Sequence, residues 1–245
     1  MIKPRLKRVT EEMFAIGGTH DLNKFTEIRK KLIAFLQEED HVILSDDEEN
    51  IRWAKAAINY IDASIVYAEK TCSKAAYPYV KAFLLRMMAT DLVDWYYDEL
   101  RLFIGSIHFT NNIEQANEFF KQANEKCIQF KRLRPTPHLE AALVANVSAR
   151  ILNAKHFDEN VTVDLADTFA SKFMWLEDLI EKNHDSQYSQ YLAMLFQVMK
   201  VRQAIFNQDQ KAAFVLCEGL AQYSEQLREA IYSEVDFYLI EGFLK

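Results

Sequence analysis

Two pairs of residues in this chain have the spacing of metal ligands. Glu38 and His41 form one Glu-x-x-His pair, and Glu181 and His184 form another. Such pairs on two helices, joined by two further carboxylates, build di-iron sites in helical bundles, because residues three apart share a helix face. That chemistry needs the pairs in mid-helix, facing a packed interior. Both pairs here fall where a helix is expected to end, and the helix dipole favours a histidine there without any metal. His20, His108, His138 and His156 are isolated, with no second ligand four residues on. The acidic run Asp46, Asp47, Glu48 and Glu49 suits a helix N-terminus and lacks the glycine and alternating ligands of a calcium loop. With 5 glycines in 245 residues there is little material for a phosphate-cradling loop. No HExxH, GxSxG, GxxxxGKS/T or GxGxxG pattern occurs. The residues therefore read as those of a protein that is not an enzyme and that needs no cofactor or metal.

A second set of residues suits binding rather than bond-breaking. Arg52 and Asn59, then Tyr97 and Arg101, then Asn146, Arg150 and Asn153, then Gln197 and Arg202 recur on what read as alternate helices. An asparagine offers a donor and an acceptor to a peptide backbone, and an arginine suits a carboxylate. Asn146 and Arg150, four apart, share a helix face. The opposing reading is that such residues are solvated or join one helix to the next.

The elements that would position them are helices almost throughout. Apolar residues recur at three- and four-residue spacing, and 5 Gly with 4 Pro leave little for the tight turns of a sheet protein. Thr19 can cap a helix carrying Phe25, Ile28, Leu32, Phe35 and Leu36. Ser45 and Glu48 form a capping box ahead of Ile51, Ala54, Ile58 and Ile61. Pro78 has the look of a first-turn proline. Thr90 or Asp91 is expected to cap the next helix, Asn111 or Asn112 the one after, and Thr136 with Pro137 the one following the break at residues 134–137. Asp158, Ser186, Asp209 and Ser224 mark the remaining starts. The aromatic groups Trp95, Tyr96, Tyr97 and Phe103, and Phe169, Phe173 and Trp175, stand at helical spacing and read as packing between helices.

Every second start falls near residues 47, 91, 138, 187 and 225. An interval of roughly 40 to 50 residues is that of a helix-pair repeat. No clean tetratricopeptide consensus is present, so the expected fold is all-α: one domain over residues 1–245, a right-handed superhelix of degenerate TPR-like (tetratricopeptide-like) helix pairs. One helix of each pair would line a concave face that binds extended peptides or partner helices.

The formal charge is −7, which argues against this chain gripping nucleic acid by itself. The basic N-terminus, with Lys3, Arg5, Lys7 and Arg8, reads as a solvated helix start. The cysteines Cys72, Cys127 and Cys217 are odd in number and far apart, the pattern of a reducing compartment. No apolar run approaches membrane-spanning length, and no signal-peptide core follows the N-terminus. The expected location is the cytoplasm, with no membrane partner.

The run Asp94-Trp95-Tyr96-Tyr97-Asp98-Glu99-Leu100-Arg101-Leu102-Phe103 resembles the W-x-x-Y-E-L-x-L-F segment in the regulatory domain of Rgg/GadR/MutR-type transcription regulators. Trp95, Glu99, Leu100, Leu102 and Phe103 match; Asp98 stands where the family usually has Tyr, and Gly105 where Asn is common. Residues 113–130 resemble the following repeat helix, and Leu143-Val144-Ala145-Asn146 resembles the asparagine-bearing helix after it. The resemblance implies a cytoplasmic, quorum-sensing type of regulator whose repeat domain binds a short hydrophobic signalling peptide on its concave face and forms a homodimer through C-terminal helices. No helix-turn-helix is visible in the sequence, so DNA would be reached only through a module outside it. The alternative is a helical-repeat scaffold or antagonist without DNA-binding activity.

Overall fold

The computed structural model describes residues 4–15, 21–39, 45–90, 96–131, 135–158 and 161–240. Among them are eleven α-helices and no strand. They are α1 (Pro4–Ala15), α2 (Leu22–Glu39), α3 (Ser45–Lys70), α4 (Ser73–Ala89), α5 (Tyr97–Ser106), α6 (Ile113–Phe130), α7 (Pro137–Phe157), α8 (Leu165–Lys182), α9 (Ser189–Phe206), α10 (Gln210–Glu218) and α11 (Glu225–Leu239). Short 3-10 turns follow α5 at Ile107–Phe109 and α10 at Gly219–Gln222.

Local chemistry explains most of the starts. Asn112 accepts from the Gln115 amide, Asp209 from Ala212 and Ser224 from Leu227, so these three caps lie where the sequence suggests. Several others differ. Pro78 lies inside α4, whose N-terminus is set at Ser73 by a tertiary bond: the Ser73 amide donates to Asn153 Oδ1 at 2.9 Å. Thr90 closes α4, and α5 begins at Tyr97, with the Tyr96 amide donating to Glu99. Asp158 closes α7, and Asp164 caps α8 through the Ala166 and Asp167 amides. Ser186 sits in the turn before α9 and accepts from the Tyr188 amide. Thr136 precedes Pro137 as expected, but its hydroxyl serves Cys127 O and Glu140 rather than the helix amides. Thr19, His20, His41, Asp91, Asp94, Trp95 and Arg134 lie outside the described residues.

The helices form two layers. The odd-numbered ones, α3, α5, α7, α9 and α11, touch in succession, while α4, α6, α8 and α10 each pack outside and touch the two flanking inner helices. Helix α7 is the centre of the inner layer. Its side chains from Leu139 to Ala154 are buried on nearly every face, which is why its sequence carries almost no amphipathic signal. One apolar core runs from Leu6 on α1 to Met199 on α9. A second, smaller core joins Leu152 of α7 to α9, α10 and α11 through Val201, Cys217, Ile231 and Val235.

Candidate functional site: an aromatic cleft between the inner helices

The inner faces of α3, α5, α7, α9 and α11 surround a cleft of about 690 Å³, and α1 and α2 reach it with Phe14 and Phe25. Helices α4, α6, α8 and α10 give it none of its lining residues. The space exists because α7 turns its smallest side chains toward it. Ala142, Ala145 and Ala149, three and four residues apart, share one face and line the cleft beside Asn146. The larger α7 residues Leu143, Val144, Val147 and Ile151 are buried in the core and line none of it. Gly105 contributes in the opposite sense: a Cβ there would meet the Tyr60 ring at 3.2 Å, so glycine lets α5 come close enough to seat Tyr60 in the wall.

The walls are aromatic. Tyr60 and Tyr67 on α3 pack against Phe109 with ring centres 5.8 and 5.7 Å apart. Also in the lining, His138 stacks on Tyr188 at 4.7 Å, and its Nε2 lies 2.6 Å from the Tyr97 hydroxyl. Burial pushes the Tyr60 phenol up to about 12, and the Tyr67 phenol rises well above its ordinary value. For Tyr67 burial comes first, followed by the nearby Tyr238 and Glu234. Both phenols stay neutral at physiological pH and act as donors or as apolar walls.

The charged groups at the cleft are paired. The Arg101 guanidinium lies 3.9 Å over the Phe14 ring and binds both oxygens of Glu11 at 3.0 and 3.1 Å. Arg202 forms a two-point pair with Glu234 at 2.7 and 2.8 Å, and it also donates to Ala145 O and to Ser148 Oγ. Burial opposes the charge on Arg202, yet Glu234 holds its pKa above the ordinary arginine value. One side chain of α9 thereby ties α7 to α11 at the cleft.

Of the residues singled out in the sequence, Arg101, Asn146 and Arg202 line this cleft. Arg52 and Tyr97 line a smaller hollow of about 480 Å³ beside Lys7, Trp53 and Asp98. Asn59 is half-buried on α3 and lines neither space. Gln197 donates to Leu216 O and so joins α9 to α10.

The structure does not bring Arg150 and Asn153 to the cleft. Arg150 is fully buried, donating to Thr110 O, Asn111 O and Asp158. Asn153 is fully buried too. It accepts from the Ser73 amide and donates to Thr71 O and the Tyr238 hydroxyl. Thr71 has a φ of 48°, a strained value for a β-branched residue, so Asn153 braces the corner between α3 and α4. Both residues thus join α7 to the segments that lead into α4 and α6.

Other contributors escaped the sequence reading. His138 and Tyr188 gave no signal, because their meeting needs α7 and α9 side by side. Glu234 did leave one: it stands with Leu227, Ile231 and Tyr238 at helical spacing, an acid on an apolar stripe, which calls for a buried partner. At the Glu181 and His184 pair, His184 lies in the turn after α8, with Nδ1 2.8 Å from Glu181 O and Nε2 2.9 Å from Asp185. Among the described residues no group of three or more His, Cys, Asp or Glu side chains could hold a metal ion. None of the described helices is long and apolar enough to cross a membrane. No family model matches the chain, and neither a curated protein nor a solved structure matches it.

Proposed function

We propose that this chain is a peptide-sensing regulatory domain that binds a short apolar peptide in the cleft between its inner helices. One observation carries the reading: five alternate helices turn aromatic and small side chains to a single open space, and the outer helices contribute nothing to it. A few polar groups among mostly apolar walls, in a volume of several hundred Å³, are the usual make-up of a ligand site. The alternation of inner and outer helices is what pairs stacked in a right-handed, TPR-like superhelix would produce.

The likeness to Rgg/GadR/MutR-type regulators supports the reading at the level of packing. Leu100, Leu102 and Phe103, which carry it, are buried. In this reading the ligand biases the position of α11, which shares the cleft with α9 and is tied to it by Arg202 and Glu234. Output would follow through a homodimer and a separate DNA-binding module. A second reading, a scaffold for a folded partner, is favoured by the exposed Ile128, Met174 and Val215 on the outer helices α6, α8 and α10.

Calorimetric titration with short apolar peptides tests the first reading. Saturable binding is expected, lost in Ala142→Phe, which fills the cleft at a half-buried position, while the circular dichroism spectrum is retained. Binding that survives Ala142→Phe would move the ligand off the cleft and favour the scaffold.

A further inference from the structure

Two arginines line the cleft, and they differ in how far their donors are occupied. Arg202 uses all three of its nitrogens: Nε and Nη2 bind Glu234, and Nη1 donates to Ala145 O and Ser148 Oγ. Arg101 is bound through Nη1 alone. That nitrogen donates to both oxygens of Glu11, and Asp98 lies 3.7 Å from it. The Arg101 Nε and Nη2 meet no acceptor among the described contacts. Those two nitrogens form one edge of the guanidinium, and their parallel N–H bonds match the two oxygens of a carboxylate. Phe14 lies against the flat face of the group, a contact that steadies it and leaves the edge open.

The surroundings suit the arrival of an acid. Glu11 is 51% exposed, against 6% for Glu234. An ion pair so open to water contributes little, so Glu11 can turn into solvent to make room, whereas Glu234 is fixed. Tyr191 also lines the cleft. Burial raises the pKa of its phenol, which keeps the hydroxyl a donor, and Arg101 is near enough to oppose that rise. Away from Arg101 the lining is served by neutral groups. Ala142, Ala145 and Ala149 leave room for side chains, and the aromatic walls pack well against apolar ones. Asn146 donates Nδ2 to Ala142 O at 2.8 Å, which leaves its Oδ1 to accept a backbone N–H. A peptide of purely apolar composition brings a single carboxylate, its own C-terminus.

Resting on the peptide reading above, we infer that the cleft anchors the free C-terminal carboxylate of a short apolar peptide on the Nε and Nη2 edge of Arg101. The apolar side chains of that peptide lie along the alanine face of α7. Arg202, with every nitrogen engaged, holds the fold together, and Arg101 reads the end of the ligand.

The test uses the full chain and one pool of N-acetylated hexapeptides of Leu, Ile, Val and Phe, made as C-terminal acids and as C-terminal amides. Members that co-elute with the protein in size-exclusion chromatography are counted by mass spectrometry, with Ala142→Phe as the blocked control. The expected result is at least about tenfold enrichment of acids over amides, the factor that RT ln 10 assigns to about 1.4 kcal/mol. Arg101→Gln, with its circular dichroism spectrum checked, should bring the two forms to parity. Glu11→Gln, at a half-exposed position, removes the competing carboxylate and should widen the preference. Equal or better retention of amides by the unaltered protein would overturn the inference while leaving peptide binding intact. A preference that persists in Arg101→Gln, or that stays level or shrinks in Glu11→Gln, would overturn it as well. Retention of neither form above the blocked control would remove the peptide reading, and this inference with it.

Discussion

The pair formed by Arg202 and Glu234 concentrates the risks of burying charge in one place. Both side chains are less than a tenth exposed, at 9% and 6%, and their bonds reach α7, α9 and α11 at once. Removing one partner strands the other, so Arg202→Ala or Glu234→Ala should cost about 3–5 kcal/mol of stability, read from urea unfolding. Arg202→Met/Glu234→Leu should cost markedly less than either single change, because no charge is left behind. A double variant as unstable as the singles would mean that the bonds to Ala145 and Ser148 matter more than the charge pair.

Lys172 carries a pH signature at the same scale. Burial, then repulsion from Lys121, brings its pKa down to about 8, while its ammonium sits 3.5 Å over the Phe120 ring. Below about pH 8 the folded chain bears a charge that its surroundings disfavour. As pH rises toward 10.5 the folded state gives up that proton before the unfolded one does, so the penalty fades. Lys172→Met should therefore stabilise the protein at pH 7 and lose that advantage by about pH 10, as chemical unfolding at the two pH values would reveal. An advantage that grew with pH would contradict this assignment.

At the scale of elements, the corner between α3 and α4 depends on a residue 80 positions away. Asn153 imitates a backbone there, accepting from Ser73 and donating to Thr71 O, and it holds Thr71 at its positive φ. Asn153→Ala would leave the Ser73 amide and the Thr71 carbonyl without those bonds in a buried site. A loss of about 2–3 kcal/mol is expected, with faster hydrogen exchange at residues 71–76 before any change in α9. Uniform acceleration along the chain would show that α7 itself had been disturbed.

For the whole molecule, the two apolar cores differ in size and position. The larger spans α1 to α9, whereas the smaller gathers α10 and α11 against the C-terminal half of α9. Cooperative units with fewer buried contacts open at lower free energy. Native-state hydrogen exchange should find α10 and α11 opening before α3 and α7, and Arg202→Ala should lower the α11 barrier most. Since α11 forms one wall of the cleft, a bound ligand should slow its exchange more than that of α4 or α6.

The amino-acid sequence by itself determined the helices. Their three- and four-residue apolar period, the caps at Asn112, Asp209 and Ser224, and the spacing of every second start are local facts, because a helix and its caps bond within a few residues. Tertiary structure decided what each polar residue does. Arg101, Asn146, Arg150, Asn153 and Arg202 are similar in type and spacing, yet two of them are fully buried away from the cleft and three line it. Nothing in the chain distinguishes them, since the partners of Arg150, Asn153 and Arg202 are 8 to 85 residues away. The cleft is a tertiary property as well. The alanines of α7 read as ordinary helix formers, and they become a hollow only when α3, α5, α9 and α11 are stacked around them.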